Sequence, residues 1–309
     1  MISNATEFNL DSSKWHLFFI EFGNILAIIC NAFLIFIYFK SSDLFLTFTN
    51  TLFASLAFVD AFTASSFIFK TVYEPKITPP NDIMGILYCR LIYTTYLMWA
   101  SIAISWYHIL AITLDRFIAV VFAHRYNAFH RPKRNLLVLV VGCYILGALS
   151  LLPNIFNAKS TNRNSCLYLI PTWSKILRFY FFANTMVFTL VVTISIGVMY
   201  TVIIYKVLIK PTKRSSKVST NQKRATITCI VIVAEYIFCS YPNVIYFCLH
   251  LCENVFGYDI GLSLESTAYW ATVQLLNTSS LLNPILYMMQ NQNFHKAVNS
   301  ILKFNPNKK

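Results

Sequence analysis

Charge is scarce in this sequence. Asp, Glu, Lys and Arg together make up 12% of the 309 residues, and hydrophobic residues make up 57%. Soluble domains carry about 25% charged residues, so the composition excludes an ordinary soluble domain and predicts an integral membrane protein. Glycine is also scarce, with 7 residues, and no internal repeat is visible. Both absences argue against a transporter, since transporters are often built from repeats with Gly-interrupted helices.

Catalytic signatures are missing as well. The chain contains no G-x-S-x-G or H-E-x-x-H motif and no paired intramembrane acids at metal-ligand spacing. No low-complexity tract or separate soluble domain is visible, so residues 1–309 are interpreted as one membrane domain. An enzyme is therefore not expected. A multi-span transporter or ligand-gated channel stays open as the alternative function.

Long apolar runs dominate what is present. A membrane-spanning helix needs about 20 mostly apolar residues. The runs are continuous rather than alternating, which favours helices over the strands of a barrel. The sequence thus predicts an all-α membrane protein with seven spans, with approximate bounds 17–39, 47–69, 87–121, 136–156, 176–209, 225–250 and 264–289.

Basic residues predict the orientation of these spans. Lys and Arg concentrate in connectors that share one side, in the clusters 125–134, 206–224 and 296–309, whereas most acids fall on the other side. Since basic connectors stay cytoplasmic, we expect an extracellular N-terminus and a cytoplasmic C-terminus. The net charge of +13 then reflects topology and contact with anionic lipid headgroups. Nucleic-acid binding is not expected.

The start of the chain agrees with this orientation. Asn4-Ala5-Thr6 is a glycosylation sequon, which is accessible only on the lumenal side. The residues before the first span carry acids and no basic n-region, so no cleavable signal peptide is predicted. The first span would itself direct the protein to the membrane, and we expect a multi-pass protein of the plasma membrane.

The eight cysteines fall into three groups. Cys89 and Cys166 both lie on the predicted extracellular, oxidising side and are the best candidates for a disulfide. Cys248 and Cys252 lie together at the end of the sixth span, where a local bridge and two free thiols both remain possible. The other four lie inside spans and are interpreted as small apolar side chains.

Polar residues inside the spans form an ordered set. Asn31 lies in the first span and Asp60 ends "SLAFVD" in the second. Asp115-Arg116-Phe117 closes the third span, "CSYP" lies in the sixth and "NPILY" (283–287) in the seventh. Charged groups at membrane depth are costly and usually face the interior of a helix bundle. Together, in this order, the motifs resemble the rhodopsin-like family of G-protein-coupled receptors.

The resemblance implies a fold and a function. The fold would be a seven-helix bundle followed by a short amphipathic helix on the inner leaflet, for which residues 291–304 supply the apolar face. The function would be binding of an extracellular ligand and activation of a heterotrimeric G protein. The residues that match the family's coupling and activation positions are Asp115, Arg116, Phe117, Tyr200, Asn283, Pro284 and Tyr287.

The polar residues around Pro284 have a physical explanation. A proline inside a helix removes one backbone hydrogen bond and kinks the chain. In a membrane, the freed carbonyl and the Asn283 amide need partners from neighbouring spans. Asp60 is the expected partner, with Asn31 beside it, and the resemblance implies that Tyr287 swings inward on activation.

The same polar residues could hold an ion. Positions that surround a sodium ion in many members of the family are matched by Asp60, Ser105, Ser280 and Asn283, with Asn31 nearby. An oxygen-only ligand set suits a hard cation. Ser279 stands where many relatives have Asn. Sodium is thus the one ion expected, and no other metal or cofactor.

Several positions depart from the family pattern. Cys89 lies about two residues further from Arg116 than is usual, so its bridge needs an adjusted turn or bulge. Ser240 replaces the usual Trp of the sixth span, and Tyr236 or Tyr241 would take part of its role. Gln222 replaces a common acid, which predicts a weaker restraint on Arg116. This divergence favours an orphan receptor or one like invertebrate serpentine chemoreceptors.

Glu235 is an unusual acid within the sixth span. It precedes Pro242 by seven residues and therefore lies on nearly the same helix face. We expect it to be hydrogen-bonded to another span, at Asn283 or Tyr287. The alternative is a protonation-sensitive link between the sixth and seventh spans.

Residues that the spans lack exclude some classes of ligand. The third span has no acid before Asp115, and Met98 occupies the position of the salt-bridging Asp of amine receptors. Asn277 stands where opsins carry their retinal-binding Lys. An amine and retinal are therefore disfavoured, and a small molecule or a peptide stays open. The candidate ligand pocket consists of Tyr93, Tyr96, Met98, Trp99, Tyr241, Tyr246, Tyr269, Trp270 and Gln274.

Overall fold

Helices account for most of the chain in a computed structural model, which describes residues 4–41, 48–73, 83–122, 124–126, 133–161, 165–168, 175–206, 220–257, 261–263 and 266–302. The helices in chain order are α1 Asn4–Lys40, α2 Phe48–Ile68, α3 Ile83–Leu87, α4 Tyr96–Val121, α5 Lys133–Ser150, α6 Lys175–Ile204, α7 Thr220–Phe256, α8 Thr267–Gln290 and α9 Gln292–Leu302. Turns of π-helix at Phe69–Tyr73 and Tyr88–Tyr93 extend α2 and α3. A 3₁₀ turn at Leu152–Asn157 follows α5.

Five of these helices are long and apolar enough to cross a membrane. The spanning segments are Ile20–Lys40, Phe48–Val72, Tyr96–Val121, Met186–Ile204 and Thr226–His250. The apolar part of α5, Arg134–Ser150, is shorter, because the helix ends well before the predicted bound of 156. In α8, polar side chains such as Asn277, Ser279 and Asn283 interrupt the apolar sequence.

The long helices contact one another in a ring. Contacts run from α1 to α2, from α2 to α4, from α4 to α6, from α6 to α7, from α7 to α8 and back to α1, while α5 packs chiefly on α4. The outward faces carry exposed apolar side chains such as Leu137, Val138 and Ile145 of α5. Exposed apolar surface of this kind suits contact with lipid.

The predicted third span is broken near its start. Thr95 adopts a left-handed conformation with φ of 59°, which separates the π-helical turn from α4. The Thr94 hydroxyl donates to the main-chain oxygen of Arg90 at 2.6 Å and accepts from the Tyr96 amide at 3.3 Å. The span predicted over 87–121 is therefore two pieces. The break and the wide π turn supply the adjustment that the extra residues before Arg116 require.

A disulfide joins Cys89 to Cys166, with Cα atoms 5.5 Å apart, as the sequence predicted. Cys166 lies on β2 (Ser165–Tyr168), which pairs antiparallel with β1 (Ala158–Thr161). This hairpin was not predicted. The bridge anchors it to the π-helical turn before α4, and we refer to this part of the molecule as the disulfide end.

At the opposite end, α9 begins with a side-chain cap. The Asn291 side-chain oxygen accepts from the main-chain amides of Asn293 and Phe294 at 2.9 and 3.2 Å. The Phe294 ring is buried and packs edge-on against Tyr287 and Phe33. Helix α9 thus has one apolar face held against α8 and α1, and we refer to this part of the molecule as the Arg116 end.

Candidate functional site

Pro284 leaves one main-chain carbonyl without its helical hydrogen bond, and a side chain of α1 donates to that carbonyl instead. Proline disrupts the hydrogen bond to the residue four positions earlier, which is Ser280. Asn31 Nδ2 donates to the main-chain oxygen of Ser280 at 2.8 Å and to that of Ala27 at 2.9 Å. Asn31 is 0% exposed, so this contact connects α1 to the proline-containing part of α8 inside the protein.

Asp60 lies in the centre of the same polar region. Its Oδ2 accepts from Asn283 Nδ2 at 3.1 Å, and its Oδ1 accepts from Ser105 Oγ at 3.0 Å. The carboxyl is 2% exposed. The expected pairing of Asp60 with Asn283 is therefore present, and one carboxyl contacts both α8 and α4. Asn31 lies in this region but hydrogen-bonds to main-chain oxygens.

A small cavity adjoins Asp60. Its lining includes the oxygen-bearing side chains of Asp60, Ser105, Asn277, Ser279 and Ser280, and it has room for about one water-sized species. Side-chain oxygens of Asn31, Asn277 and Asn283 are buried without a hydrogen-bond partner. These residues fit a small hard cation, because they offer oxygen ligands only and include a carboxyl group.

Arg116 is folded back onto its neighbour Asp115. Arg116 Nε and Nη2 donate to Asp115 Oδ2 at 2.9 and 2.5 Å. Nη2 also donates to the Thr49 hydroxyl of α2, which itself donates to Asp115 Oδ2 at 2.7 Å. Arg116 is 6% exposed and Asp115 is 0% exposed. Breaking such a buried pair on one side is costly, at about 3–5 kcal/mol.

Tyr126 closes this cluster from the segment after α4. Arg116 Nη2 lies 3.5 Å from the Tyr126 hydroxyl. Burial raises the pKa of Tyr126, and the Asp115 carboxylate raises it further, so the hydroxyl stays protonated. Gln222 belongs to α7, but its side chain lies outside the described residues.

Tyr287 is held by α2. Its hydroxyl donates to Asn50 Oδ1 at 3.0 Å, and its ring lies 4.5 Å from the ring of Phe53. Thr49 and Asn50 were missed by the sequence analysis. The signal that could have found them is a pair of adjacent polar residues at the start of an apolar run, at the end that also carries Arg116. Tyr200 of α6 is buried, and Phe117 packs edge-on against Phe122.

Aromatic side chains surround the position of the missing Trp. Ser240 is 0% exposed. Trp106 of α4 packs edge-on against Tyr236 with ring centroids 5.5 Å apart, and its ring lies 6.3 Å from that of Tyr241. The Tyr241 hydroxyl donates to Thr193 of α6. The indole ring in this region is therefore that of Trp106 on α4, whereas α7 contributes the smaller rings of Tyr236 and Tyr241.

The structure gives contacts for several residues of the predicted ligand pocket. The rings of Tyr246 and Tyr269 are tilted by 46° with centroids 5.5 Å apart, and Met98 is buried at 6% exposure. The Tyr96 hydroxyl donates to the main-chain oxygen of Ala148 on α5 at 2.9 Å, and its place in the pocket stays a prediction. Trp270 is 39% exposed, and Tyr93 lies under the Lys70 ammonium at 5.4 Å.

The prediction for Glu235 was wrong in its partner. Its Oε1 accepts from the Cys239 thiol at 3.2 Å, one turn further along α7, and Oε2 is buried without a partner. No hydrogen bond joins it to Asn283 or Tyr287 in the described part of the chain, where Asn283 donates to Asp60 and Tyr287 donates to Asn50. The side chain thus bonds within its own helix.

Cys248 and Cys252 are free thiols. They are four residues apart on α7, so their Cβ atoms are roughly 5–6 Å apart, whereas a disulfide needs about 3.5–4.5 Å. A helix that continues through both residues therefore prevents the local bridge. The Cys248 thiol instead donates to Met186 Sδ at 3.2 Å.

A polar junction between α2, α4 and α5 was also missed. His108 Nδ1 lies 2.9 Å from the main-chain oxygen of Ile104 and Nε2 lies 2.9 Å from Ser55 Oγ, which is 3.3 Å from the Tyr144 hydroxyl. Because a carbonyl only accepts, Nδ1 carries the proton and Nε2 accepts from Ser55. His108 is 0% exposed and is fully satisfied as a neutral ring.

The model of the seven-transmembrane receptor (rhodopsin family) matches residues 30–287. The matched range begins just before Asn31 and ends at Tyr287, so it contains Asp60, the Arg116 cluster and the Pro284 region.

Proposed function

The chain belongs to the rhodopsin family of seven-transmembrane receptors, and we propose that it is a cell-surface receptor that activates a heterotrimeric G protein when an extracellular ligand binds. The observation that carries this proposal is the Arg116 cluster. Arg116 lies at the end of a membrane helix, and its guanidinium is buried against Asp115 and Thr49. In this arrangement the charged donor is bound within the protein and does not face a partner. A receptor with this arrangement can expose the donor when its helices rearrange.

The proposal includes an orientation in the plasma membrane. The disulfide end faces outward, where oxidising conditions allow the Cys89–Cys166 bridge, and Asn4 is glycosylated there. The Arg116 end faces the cytoplasm, where the basic connectors are retained. All seven long helices span the bilayer, and α9 lies along the inner leaflet with its Phe294 face toward the protein.

Activation would act on two contacts at the cytoplasmic end. Movement of α2 relative to α4 separates Thr49 from Arg116, and movement of α8 separates Tyr287 from Asn50. The cleft that opens accepts a helix of the G protein, as in other helix-in-groove complexes. Arg116 then donates to main-chain oxygens of that helix, and the basic connectors attract its acidic surface.

A sodium ion would stabilise the resting arrangement. Asp60, Ser105 and Ser280 would hold it in the cavity between α2, α4 and α8, with Asn31 and Asn283 at its edge. The ion supplies a positive charge beside a buried carboxyl, which otherwise lacks a cationic partner among the described residues. It binds only while these helices stay together.

Amine agonists such as dopamine or serotonin are expected to give no response at micromolar concentration. Met98 is apolar and buried, so an ammonium group bound beside it would lack a paired charge, which is costly in a dry site. Dose–response curves from cells that express the receptor with G-protein sensors measure this. Activation by such an amine at nanomolar concentration would contradict the proposal.

Gln222→Glu is expected to lower basal G-protein activation by about fivefold. We expect the new acid at this position of α7 to pair with Arg116, and a pair worth about 1 kcal/mol changes the ratio of resting to active receptor about fivefold. The measurement is ligand-free signalling at matched surface expression. Asn221→Glu is the control, since neighbouring residues of a helix point in different directions, and it should leave basal activity unchanged. A rise with Gln222→Glu would contradict the proposed restraint.

The function itself is tested by a panel of G-protein sensors in one cell line. Cells that express the receptor are compared with cells that lack it, first without ligand and then across libraries of small molecules and peptides. We expect basal activation of at least one G-protein class, because the Gln222 position lacks an acid. Ligand-gated current in cells without G proteins would favour a channel instead.

A further inference from the structure

Side chains of α7 bind the connector that leads to α8. The main-chain amides of Gly261 and Leu262 donate to the two carboxylate oxygens of Glu253, at 3.1 and 3.3 Å. The next amide, that of Ser263, donates to the Tyr246 hydroxyl at 3.3 Å. Gly261 and Ser263 are exposed, so water could satisfy their amides. Three successive amides bound to one helix therefore need an explanation beyond hydrogen-bond satisfaction.

The three side chains that bind the connector lie on one face of α7. Tyr246, His250 and Glu253 are separated by four and three residues, which is the spacing of neighbours on a helix surface. His250 Nδ1 lies 3.1 Å from the main-chain oxygen of Leu262, and because a carbonyl only accepts, Nδ1 carries the proton. Both main-chain polar groups of Leu262 are thus bound by α7, the amide by Glu253 and the carbonyl by His250.

Glu253 provides the charged contact of this set. Gly261 has a φ of 74°, a left-handed conformation that glycine adopts without strain. Successive amides in such a turn form a concavity that binds anions, and the Glu253 carboxylate occupies it. Hydrogen bonds to an ionised group are roughly twice as strong as those between neutral groups, so the loss of the Glu253 charge should weaken the connector most.

The contacts continue from the connector into the first turn of α8. The Tyr246 hydroxyl donates to the main-chain oxygen of Ser263 at 2.9 Å and lies 2.6 Å from Ser266 Oγ. Ser266 in turn caps α8, since its Oγ accepts from the Tyr269 amide at 3.2 Å. The Tyr269 ring lies against the Tyr246 ring with centroids 5.5 Å apart. A continuous set of contacts therefore joins Glu253 on α7 to Tyr269 on α8.

We propose that these contacts form and break together, as one clamp that holds the end of α7 and the start of α8 in a single unit. The clamp is defined by its α7 residues Tyr246, His250 and Glu253. Glu253 and His250 are positioning residues, because they fix through the connector how the Tyr269 ring meets Tyr246. The inference rests on the proposed function in one respect: both rings belong to the predicted ligand pocket, so a bound ligand would meet α7 and α8 as one wall.

Hydrogen–deuterium exchange of the purified, ligand-free receptor, read at single amides, tests the clamp. In the wild type, the hydrogen bonds to Glu253 should protect the amides of Gly261 and Leu262 although both lie in a connector. Glu253→Gln keeps the length of the side chain and removes its charge. We expect this variant to speed exchange at these two amides about tenfold.

The decisive amides are those of Ser263 and Tyr269. Their acceptors are Tyr246 and Ser266, so Glu253→Gln leaves both of these hydrogen bonds chemically intact. If the clamp opens as one cooperative unit, the amides of Ser263 and Tyr269 nevertheless exchange faster by the same factor.

Tyr246→Phe is the reciprocal variant. It keeps the ring against Tyr269 and removes the hydroxyl. It should therefore speed exchange at Gly261 and Leu262, whose amides bind Glu253 and not Tyr246. This variant also keeps the proposal testable if Glu253→Gln does not fold.

Tyr107→Phe is the matched control, because it removes a hydroxyl that lies 3.1 Å from Ser150 on α5, and it should leave exchange in the connector unchanged. If Glu253→Gln speeds only the amides of Gly261 and Leu262, the hydrogen bonds are independent and the clamp is overturned. Equal acceleration along α4 and α5 would show a general loss of the fold and would also overturn it. The measurement involves neither ligand nor G protein, so a receptor that activates no G-protein class would refute the proposed function and leave the clamp in place.

Discussion

Replacing Arg116 with alanine is expected to abolish G-protein activation while the receptor still reaches the cell surface and binds ligand. The side chain lies at the opposite end of α4 from the disulfide, so its loss should leave the disulfide end unchanged. The activated receptor, however, would lose the charged donor for which we propose a contact with the G-protein helix. Signalling in a G-protein sensor assay should fall to the level of cells without receptor, at equal surface expression.

Removing Arg116 also leaves Asp115 buried with Thr49 as its remaining donor from this cluster, which weakens the fold. Arg116→Gln is therefore needed as a second variant, because its amide can still donate to Asp115 without a charge. It should fold and fail to signal. His124→Ala, at an exposed position beyond α4, is the control and should signal normally. Full signalling by Arg116→Ala would refute the proposed role.

Gly147→Val is expected to prevent the receptor from folding and reaching the surface. A Cβ atom at Gly147 would lie 2.5 Å from Ile104 Cγ1 and 2.7 Å from the Ile104 Cα and main-chain nitrogen. A side chain can turn away from such a contact, but the main chain of α4 cannot, so α5 would have to move. Overpacking by one or a few methyl groups typically costs about 1–3 kcal/mol, and a clash with main chain costs more.

Gly142→Val provides the matched control on the same helix. A Cβ atom at Gly142 meets nothing within 4 Å, whereas the change in helix propensity is the same as at position 147. Surface labelling and thermal unfolding of the two variants then separate packing from propensity. Gly147→Ala should fall between Gly147→Val and the wild type. Equal surface expression of both valine variants would show that the contact of Gly147 with Ile104 between α5 and α4 does not limit folding.

Local pattern and chemistry in the sequence were enough to predict the membrane environment and several contacts of this protein. Composition alone required a membrane environment, because too few charged residues are present to cover a soluble surface. The partners of Pro284 could be anticipated, since a freed carbonyl in a membrane must be satisfied by another span. Cys89 and Cys166 were the best disulfide candidates because both lie on the predicted extracellular side, and the need for a distorted turn near Cys89 followed from its spacing to Arg116 compared with the family pattern.

Only the tertiary structure decided where individual side chains point. Tyr96 turns to Ala148 of α5, Glu235 bonds within α7, and Asn50 binds Tyr287, none of which the sequence predicted. The physical reason is that an apolar run fixes a helix but not its rotation about its own axis, because lipid accepts any apolar face. Rotation and spacing are set by close contacts such as Gly147 against Ile104, which exist only once the helices have packed together.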